Sequence, residues 1–328
     1  MKKIIEKSIS EPRSVEKLEI RFNDLMEGNM HSVGVPNAAL GILACLIALG
    51  IKAQDKIIIT PYSPGSTIAG AKLLGCELIF TDINPLFLSL EPHPVWNIIE
   101  KQNDIKCIID CDIYGYPALS NCFEEVKEKY GVPYILDCSM SLGANLDFHH
   151  TGFMADFAVF SFNETNFKGT GQGGMVCVKD WRRYEKLLQL TQDPERTRRD
   201  YPTGLTNPYF YDFRLNAFTA GSVLSRLDGF LKKVEAKRKW VSESRIPVLA
   251  SNFAPCNSYQ PSYSTLVANI HKVKNRQPYE FDPPPILKLH IEDPNLYRSG
   301  CKMTDTTTHY SKSIIEKIKL LTLKTKNQ

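Results

Sequence analysis

The sequence lacks the features of several common functional classes. Its formal net charge is only +4 over 328 residues, and the positive residues are scattered, so no basic surface for nucleic acid is predicted. The longest apolar run, Ala38 to Leu49, is shorter than the ~20 residues that span a bilayer. The opening residues include two adjacent lysines but no apolar core of a signal peptide. We therefore expect a cytoplasmic protein that binds neither nucleic acid nor a membrane.

The cysteines form neither a disulfide framework nor a metal-binding pattern. Nine is an odd number, and single cysteines such as Cys45 and Cys177 lie in apolar runs, which is typical of buried thiols in a reducing compartment. Cys107 and Cys111 are four residues apart, but no second cysteine or histidine pair at ligand spacing accompanies them. We expect no metal site.

What the sequence does contain, from residue 37 to residue 180, is an alternation of helical and strand patterns at short spacing. Asn37 is a plausible N-cap for a helix through Leu49, which Gly50 would end. The strands lack alternating polarity, as parallel strands buried on both faces do. The predicted strands are Lys56 to Thr60, Glu77 to Thr81, Lys106 to Asp110, Pro133 to Leu136, Phe157 to Phe162 and Met175 to Val178, and the helices between them are Ser66 to Leu74, Trp96 to Lys101 and Asn121 to Lys129.

This alternation predicts an α/β fold: three layers, with a mostly parallel sheet covered by helices on both faces. A turn-rich stretch near residue 205 indicates a boundary, so we expect a major domain over 1–214 and a smaller α+β domain over 215–328. The smaller domain is predicted to begin with a long helix from Leu215 to about Trp240. A β-like run at Tyr263 to Ile270 and an amphipathic helix at Ser311 to Leu323 follow.

The stretch from Ala155 to Met175 carries the most functional information. It predicts a buried strand, a polar loop, and a glycine run that leads into a second strand. It resembles the cofactor-lysine segment of the DegT-type sugar aminotransferases, which use pyridoxal phosphate and have the fold of type I pyridoxal-phosphate transferases. The aromatic-serine-aromatic run Phe160 to Phe162 and the glycines at 171, 173 and 174 match that family with no change in length. Further similarity covers most of residues 30 to 240.

The lysine of that segment is absent from this chain, because its position falls on Asn166. The family lysine forms a Schiff base with the cofactor, and an amide nitrogen is not a nucleophile. Some family members carry a histidine there, use the amine form of the cofactor and catalyse dehydration, with the histidine as base. An asparagine has no proton equilibrium near neutral pH and cannot replace that base.

Two positions that the family uses to hold the cofactor are unchanged. Asp137 matches the aspartate that the family places against the pyridine nitrogen, where a carboxylate keeps the nitrogen protonated. An aspartate that caps the turn after a strand would give the same pattern. Ser161 matches a serine that contacts the phosphate, although a small residue at a strand end needs no ligand to explain it.

Other cofactor positions of the family have changed. The family's Ser-Gly-Thr turn donates backbone N–H groups to the phosphate at a helix N-terminus, and here the turn is Val35-Pro36-Asn37, in which proline has no N–H. The family's stacking aromatic falls on Pro64, and Tyr62 lies two residues away. An asparagine that the neighbouring subunit supplies in the family falls on Asp212, an anion unfavourable beside phosphate, whereas Arg214 of the same motif remains.

Lys168 is an alternative source of an amine, since it lies two residues beyond the family position and a lysine side chain reaches roughly 6 Å. The unchanged spacing between Phe162 and Gly171 argues against such a shift, and a solvated loop lysine is the simpler interpretation. His149 and His150 are predicted to be surface histidines at a turn, with a substrate contact as the alternative.

We therefore expect a family member that does not transaminate, with impaired binding of pyridoxal phosphate and a regulatory, scaffolding or partner role in nucleotide-sugar or surface-polysaccharide biosynthesis. The alternatives are an active aminotransferase or dehydratase that uses Lys168 or a non-covalent cofactor, and a sensor that binds a nucleotide sugar. The resemblance implies a homodimer or a mixed dimer with an active paralogue. The candidate catalytic positions are Asn166 and Lys168, and the candidate cofactor-binding residues are Asp137, Ser161, Asn37 and Arg214.

Overall fold

A computed structural model describes residues 13–60, 62–84, 87–163, 167–191, 211–244, 259–264, 266–269, 301–303 and 320–323. Among these residues, no helix is both long and apolar enough to cross a bilayer. The domain boundary near residue 214 stays a prediction.

Helices and strands alternate along most of the described chain. The elements up to residue 191 are α1 (Ser14–Leu25), β1 (His31–Val35), α2 (Ala38–Ala48), β2 (Lys56–Ile59), α3 (Gly65–Leu73), β3 (Glu77–Phe80), α4 (Pro92–Lys101), β4 (Ile105–Cys111), α5 (Glu124–Tyr130), β5 (Tyr134–Asp137), β6 (Asn145–Leu146), β7 (His149–His150), β8 (Phe157–Ser161), β9 (Gly174–Val178) and α6 (Trp181–Thr191). They are followed by α7 (Ala217–Leu224), α8 (Leu227–Ser244), β10 (Tyr259–Gln260), β11 (Leu266–Asn269), β12 (Cys301–Met303) and β13 (Leu320–Leu323).

The described strands build an eight-stranded central sheet in the order β1-β9-β8-β5-β4-β2-β3-β12. Strands β8, β5, β4, β2, β3 and β12 are parallel to their neighbours in that row, whereas β9 is antiparallel to both β1 and β8. The predicted fold class, an α/β fold with a mostly parallel sheet, is confirmed.

Helices cover both faces of this sheet, which makes three layers. Successive residues of a strand point to opposite faces, so Ile57 and Ile59 lie in one core and Ile58 in the other. One core includes Phe22 of α1 and side chains of α4, α5 and α7, and the other includes Ile42 of α2 and side chains of α3 and α6. Burial on both faces explains why the strands read as continuous apolar runs.

Three predicted elements differ from the structure. Helix α4 begins at Pro92 rather than Trp96, because a proline is tolerated in the first turn, where its missing N–H has no helical partner. The predicted long helix from Leu215 is divided into α7 and α8, with a break at Ser225 and Arg226. The predicted helix that was to end at Leu323 is wrong in its last four residues, which form β13 and pair with β11; the rest of that prediction lies outside the described residues.

Candidate functional site

The parallel strands end along one edge of the sheet, which we call the carboxyl edge: the last residues of β1, β2, β4, β5 and β8 and the residues that follow them. Asp137 ends β5, and Ser161 ends the neighbouring β8. Strand β9 lies between β8 and β1 in the sheet, since Gly174 pairs with Val35 on one side and with Ser161 on the other. Asn37 follows two residues after Val35, so three predicted site residues lie on this edge.

The Asp137 carboxylate is buried, and it accepts hydrogen bonds from Thr67 and Ser139. The residue is 1% exposed. Thr67 Oγ1, in the first turn of α3, donates to Oδ2 at 2.6 Å, and the Ser139 backbone N–H and hydroxyl both donate to Oδ1, the N–H at 3.0 Å. Burial raises the pKa of Asp137, and the hydrogen bonds from Ser139 and Thr67 oppose that rise because they favour the charged form.

Two more buried carboxylates, not singled out from the sequence, lie beside Asp137. Asp110, near the end of β4, accepts from the Tyr134 hydroxyl at 3.0 Å and from backbone N–H groups. Asp112 accepts from Ser141 Oγ at 2.6 Å, from the Ala118 N–H and from a threonine hydroxyl. Burial raises the pKa of Asp110 to about 7 and that of Asp112 to about 6, despite these hydrogen bonds.

These three carboxylates have only neutral donors. Within the described ranges, no lysine, arginine or histidine forms an ion pair with Asp110, Asp112 or Asp137. Nor do the described residues contain a group of three or more histidine, cysteine or acidic side chains that could hold a metal ion. The repeated acids in the strand-end run Cys-Ile-Ile-Asp-Cys-Asp were the sequence signal for this cluster.

The N-terminus of α2 is closed by Asn37. Its Oδ1 accepts from the Leu40 N–H at 2.9 Å, which confirms the predicted N-cap, and its Nδ2 lies 3.4 Å from Gln172 Oε1. Gly174 packs tightly here: a Cβ on it would lie 2.7 Å from the Phe160 carbonyl oxygen and 3.1 Å from the Asn37 carbonyl carbon. The turn before α2 is therefore packed directly against the start of β9.

Pro64 is the residue before α3, and the neighbouring aromatic side chain is that of Tyr62. Tyr62 is 1% exposed, and its ring meets the ring of Tyr114 edge-on, with centroids 6.3 Å apart. Among the described residues, its hydroxyl has no hydrogen-bond partner. Burial raises the pKa of Tyr62, and the nearby Tyr114 hydroxyl adds to the rise. This buried phenol on the carboxyl edge was given no role by the sequence reasoning.

The loop between β8 and β9 contains Asn166, which lies outside the described residues. Its described flanks are held at both ends. The Phe162 N–H donates to the Gly173 carbonyl at 2.8 Å, and the Phe167 N–H donates to the Asn163 carbonyl at 2.9 Å. Phe167 is buried, with its ring 5.8 Å from that of Phe162 and stacked 4.9 Å from that of Phe230 in α8.

Lys168 is an exposed residue of the turn that follows Phe167. The Arg226 guanidinium, from the break between α7 and α8, donates to the Lys168 carbonyl and to the carbonyl and hydroxyl of Ser222. Thr219 of α7 donates to the Thr170 carbonyl at 3.1 Å. The turn is thus attached to the two helices through its backbone, a role for Arg226 that the sequence reasoning missed.

Asp212 and Arg214 form an exposed ion pair with each other. Asp212 has a left-handed backbone conformation, with φ of 52°. The Arg214 guanidinium bonded to it lowers the pKa of Asp212. Arg214 therefore supplies the cation that Asp212 would require beside a phosphate.

The prediction of two surface histidines is wrong for His150. Its ring is buried. Nε2 accepts a hydrogen bond from the Gly143 N–H at 2.9 Å, and Nδ1 lies 2.8 Å from the Thr151 carbonyl oxygen. Burial lowers the pKa of His150 to about 4, so the ring is neutral and structural. His149 is half-buried, stacks on Phe153 and pairs with Glu27.

Comparison with known proteins identifies one family. Residues 3–256 match the DegT/DnrJ/EryC1/StrS aminotransferase family. Over 166 residues the chain is 27% identical to the UDP-N-acetyl-3-dehydro-α-D-glucosamine 3-aminotransferase of Acidithiobacillus ferrooxidans. That match covers 50% of this chain and 44% of the relative, so the chain aligns with about half the length of this curated relative.

Solved structures share the fold over a longer range. A DegT/DnrJ/EryC1/StrS aminotransferase of Brucella abortus superposes with a TM-score of 0.74 and 18% identity, over 98% of this chain and 89% of that chain. NtdA of Bacillus subtilis, solved with bound cofactor PMP, gives a TM-score of 0.65 and 18% identity, over 81% of this chain and 62% of that chain. At these identities the likeness establishes the fold.

Proposed function

Because this chain belongs to the DegT/DnrJ/EryC1/StrS aminotransferase family, we propose that it serves nucleotide-sugar biosynthesis as a member that does not transaminate. The nucleotide-sugar assignment is supported by the relative that acts on a UDP-N-acetyl-dehydroglucosamine. Its role is to bind a nucleotide sugar or a partner enzyme rather than to transfer an amino group.

One observation carries the proposal: Asn166 stands where the resemblance places the amine of the family. Transamination through a covalent aldehyde cofactor requires a nucleophilic amine, and a carboxamide has none. The neighbouring lysine does not favour a substitute role. Lys168 is exposed on a turn whose backbone is attached to α7 and α8 by Arg226 and Thr219, so the backbone position from which its amine would have to reach the site is fixed.

The residues on the carboxyl edge also fit the cofactor poorly. When bound, pyridoxal phosphate withdraws electrons from the substrate carbon, and it needs an anion site for its phosphate and an acid partner for its ring nitrogen. Here Pro36 has no N–H to donate, and the Leu40 N–H is already used by Asn37. The Asp137 carboxylate is 1% exposed and accepts from Thr67 and Ser139.

A second function is favoured by one specific observation, the arrangement of Asp137 and Ser161 at adjacent strand ends. These are the positions at which the family holds its cofactor, and the neighbour NtdA contains the amine form. In this alternative the chain is an aminotransferase or dehydratase that holds that form without a covalent bond. It predicts that Asp137→Asn abolishes a measurable turnover.

The test is a turnover assay combined with chemical trapping. Wild-type protein is incubated with pyridoxal phosphate, glutamate and a panel of UDP-, GDP- and dTDP-linked keto sugars, and amino-sugar product is measured by mass spectrometry. Borohydride reduction then tests for a lysine adduct. We expect neither product nor adduct, with a lysine-containing family enzyme as positive control. Amino-sugar product, or an adduct on Lys168, would overturn the proposal.

The assembly is also part of the proposal. We infer that the chain forms a homodimer, or a mixed dimer with an active paralogue that supplies the missing amine, because the resemblance places the family's sites between two subunits. Light scattering after size exclusion measures the first state. Co-purification with a lysine-containing paralogue, followed by a gain of turnover over either protein alone, identifies the second.

A further inference from the structure

We infer that the chain's own side chains take the place of the family cofactor at two positions of the carboxyl edge, the Asp137 carboxylate and the start of α2, so that both positions are closed to the cofactor. Thr67 and Ser139 donate to Asp137, and Asn37 accepts from the Leu40 N–H at the N-terminus of α2. The inference rests on the proposed function and extends it, because loss of the amine alone would leave an open cofactor cradle.

The first step concerns the Asp137 carboxylate. A ring nitrogen would have to approach one of its oxygens to about 2.8 Å, near the plane of the carboxylate. Both oxygens already accept hydrogen bonds from Thr67 or Ser139, and 1% of the residue is exposed. A ring could enter only if these hydroxyls moved and the packing above the carboxylate opened.

The second step concerns the links that these hydrogen bonds make within the fold. Thr67 lies in the first turn of α3, and Asp137 ends β5, so their 2.6 Å hydrogen bond joins a helix start to a strand end. Ser139 closes the turn after β5 onto the same carboxylate. Asp137 thereby acts as a joint between three segments, a structural use that needs no ligand.

The third step concerns the anion site. A helix N-terminus binds a phosphate through free backbone N–H groups. Asn37 Oδ1 already accepts a hydrogen bond from the Leu40 N–H at 2.9 Å. The Asn37 side chain is covalently held next to this N–H, whereas a phosphate would have to bind from solution. The approach of Gly174 to the Asn37 backbone closes the space on the sheet side. A phosphate that accepted from the Leu40 N–H would have to displace the Asn37 side chain, which costs no binding entropy to hold there.

The test is a binding titration that needs no activity. Isothermal calorimetry and near-ultraviolet absorbance are recorded while pyridoxamine phosphate, which requires no lysine, is added to wild-type protein, and pyridoxal phosphate is added to Asn166→Lys. A closed edge predicts no heat and no absorbance change in either case, and no adduct in Asn166→Lys after borohydride. Wild-type titration keeps the inference testable if the variant does not fold.

The joint is tested by stability. Thr67→Val is compared with Thr191→Val, a matched buried threonine whose hydroxyl donates to the Leu187 carbonyl at 2.7 Å, away from the carboxyl edge. Because Thr67 donates to a carboxylate and Thr191 to a neutral carbonyl, we expect the larger fall in melting temperature for Thr67→Val. Equal falls would overturn the assignment of Asp137 as a joint.

The outcomes separate this inference from the proposed function. Binding of pyridoxamine phosphate by an inactive wild-type protein, or an adduct in Asn166→Lys, overturns the closed edge while the proposed function stands. Turnover by wild-type protein overturns the proposed function. No heat and no absorbance change in both titrations, together with the larger fall in melting temperature for Thr67→Val, support the inference.

Discussion

The two edges of the central sheet treat a buried aspartate in opposite ways. At the amino edge, Asp156 precedes β8, and its carboxylate bonds to Lys127 at 2.9 Å, to Arg183 at 3.0 Å and to the Tyr134 N–H. At the carboxyl edge, Asp110, Asp112 and Asp137 are as deeply buried, and their donors within the described part of the chain are all hydroxyl and N–H groups.

The difference indicates what each edge was selected for. A buried carboxylate paired with cations is electrostatically balanced, and removing one partner of such a pair destabilises the fold. Buried carboxylates without cations cost free energy when they ionise, and proteins keep such groups where a ligand or a proton is handled. At the carboxyl edge, the hydroxyl and N–H donors of the chain itself hold these carboxylates.

The largest effect is expected at the amino edge. Asp156→Ala removes the anion shared by Lys127 and Arg183 and the acceptor of the Tyr134 N–H. Breaking a fully buried pair costs about 3–5 kcal/mol, and because the two cations are 36% and 29% exposed we expect a loss near the low end, about 3 kcal/mol. Urea denaturation measures the loss. The control is Glu243→Gln, which removes an exposed partner of Lys239 and is expected to cost little. A loss for Asp156→Ala no larger than that of the control would erase the contrast between the edges.

At the carboxyl edge we expect the opposite effect on the free energy of unfolding: removing the negative charge of a buried aspartate should stabilise the fold. Because burial raises the pKa of Asp110 from its ordinary value to about 7, the folded state holds a proton that the unfolded state has lost between about pH 4 and 7. Stability from this group is complete below pH 4 and is lost as the pH rises through 7. The rise from 3.8 to about 7 corresponds to about 4 kcal/mol at most.

The variant Asp110→Asn tests that sign. An amide keeps an acceptor for the Cys111 and Leu90 N–H groups, and its NH₂ can donate to the Tyr134 hydroxyl. We expect the variant to be more stable than wild type at pH 8, with a difference that shrinks as the pH falls from 7 to 4 and is gone below pH 4, as measured by urea midpoints across pH. A pH-independent difference would show that Asp110 does not titrate in the fold.

A smaller gain is expected from Tyr62→Phe. The buried Tyr62 hydroxyl has no hydrogen-bond partner among the residues that the structure describes. Such a group costs about 1–3 kcal/mol, so its removal is expected to raise the free energy of unfolding by about 1 kcal/mol. The matched control is Tyr134→Phe, which loses a hydrogen bond to Asp110 and is expected to destabilise. Destabilisation by Tyr62→Phe would reveal a partner for this hydroxyl.

The strands and their burial on both faces could be predicted from the sequence, because both follow from the composition of short, local runs. Runs such as Ile57 to Ile59 and Tyr134 to Leu136 are continuously apolar and are bounded by proline or polar residues. The helix after Asn37 was predicted because its N-cap is a local hydrogen bond.

What could not be predicted depends on contacts between distant residues. Leu224, Leu227 and Leu231 keep helical spacing across the break between α7 and α8, so the sequence reads as one helix, while Arg226 at the break bonds to the carbonyl of Lys168. The partners of Asp137 follow the same rule, since Thr67 is 70 residues away. Which of the candidate residues contact a cofactor stays a prediction.

The smallest effect separates a capping residue from the remains of an anion site. Asn37→Ala removes the cap of α2, and Asn216→Ala removes the equivalent cap of α7, where Oδ1 accepts from the Phe218 N–H at 2.8 Å. Each is expected to cost about 1 kcal/mol in urea denaturation. Inorganic phosphate should restore stability to Asn37→Ala and not to Asn216→Ala if the asparagine occupies a former phosphate site. Because Pro36 leaves that turn one donor short, we expect a partial rescue that weakens as ionic strength rises.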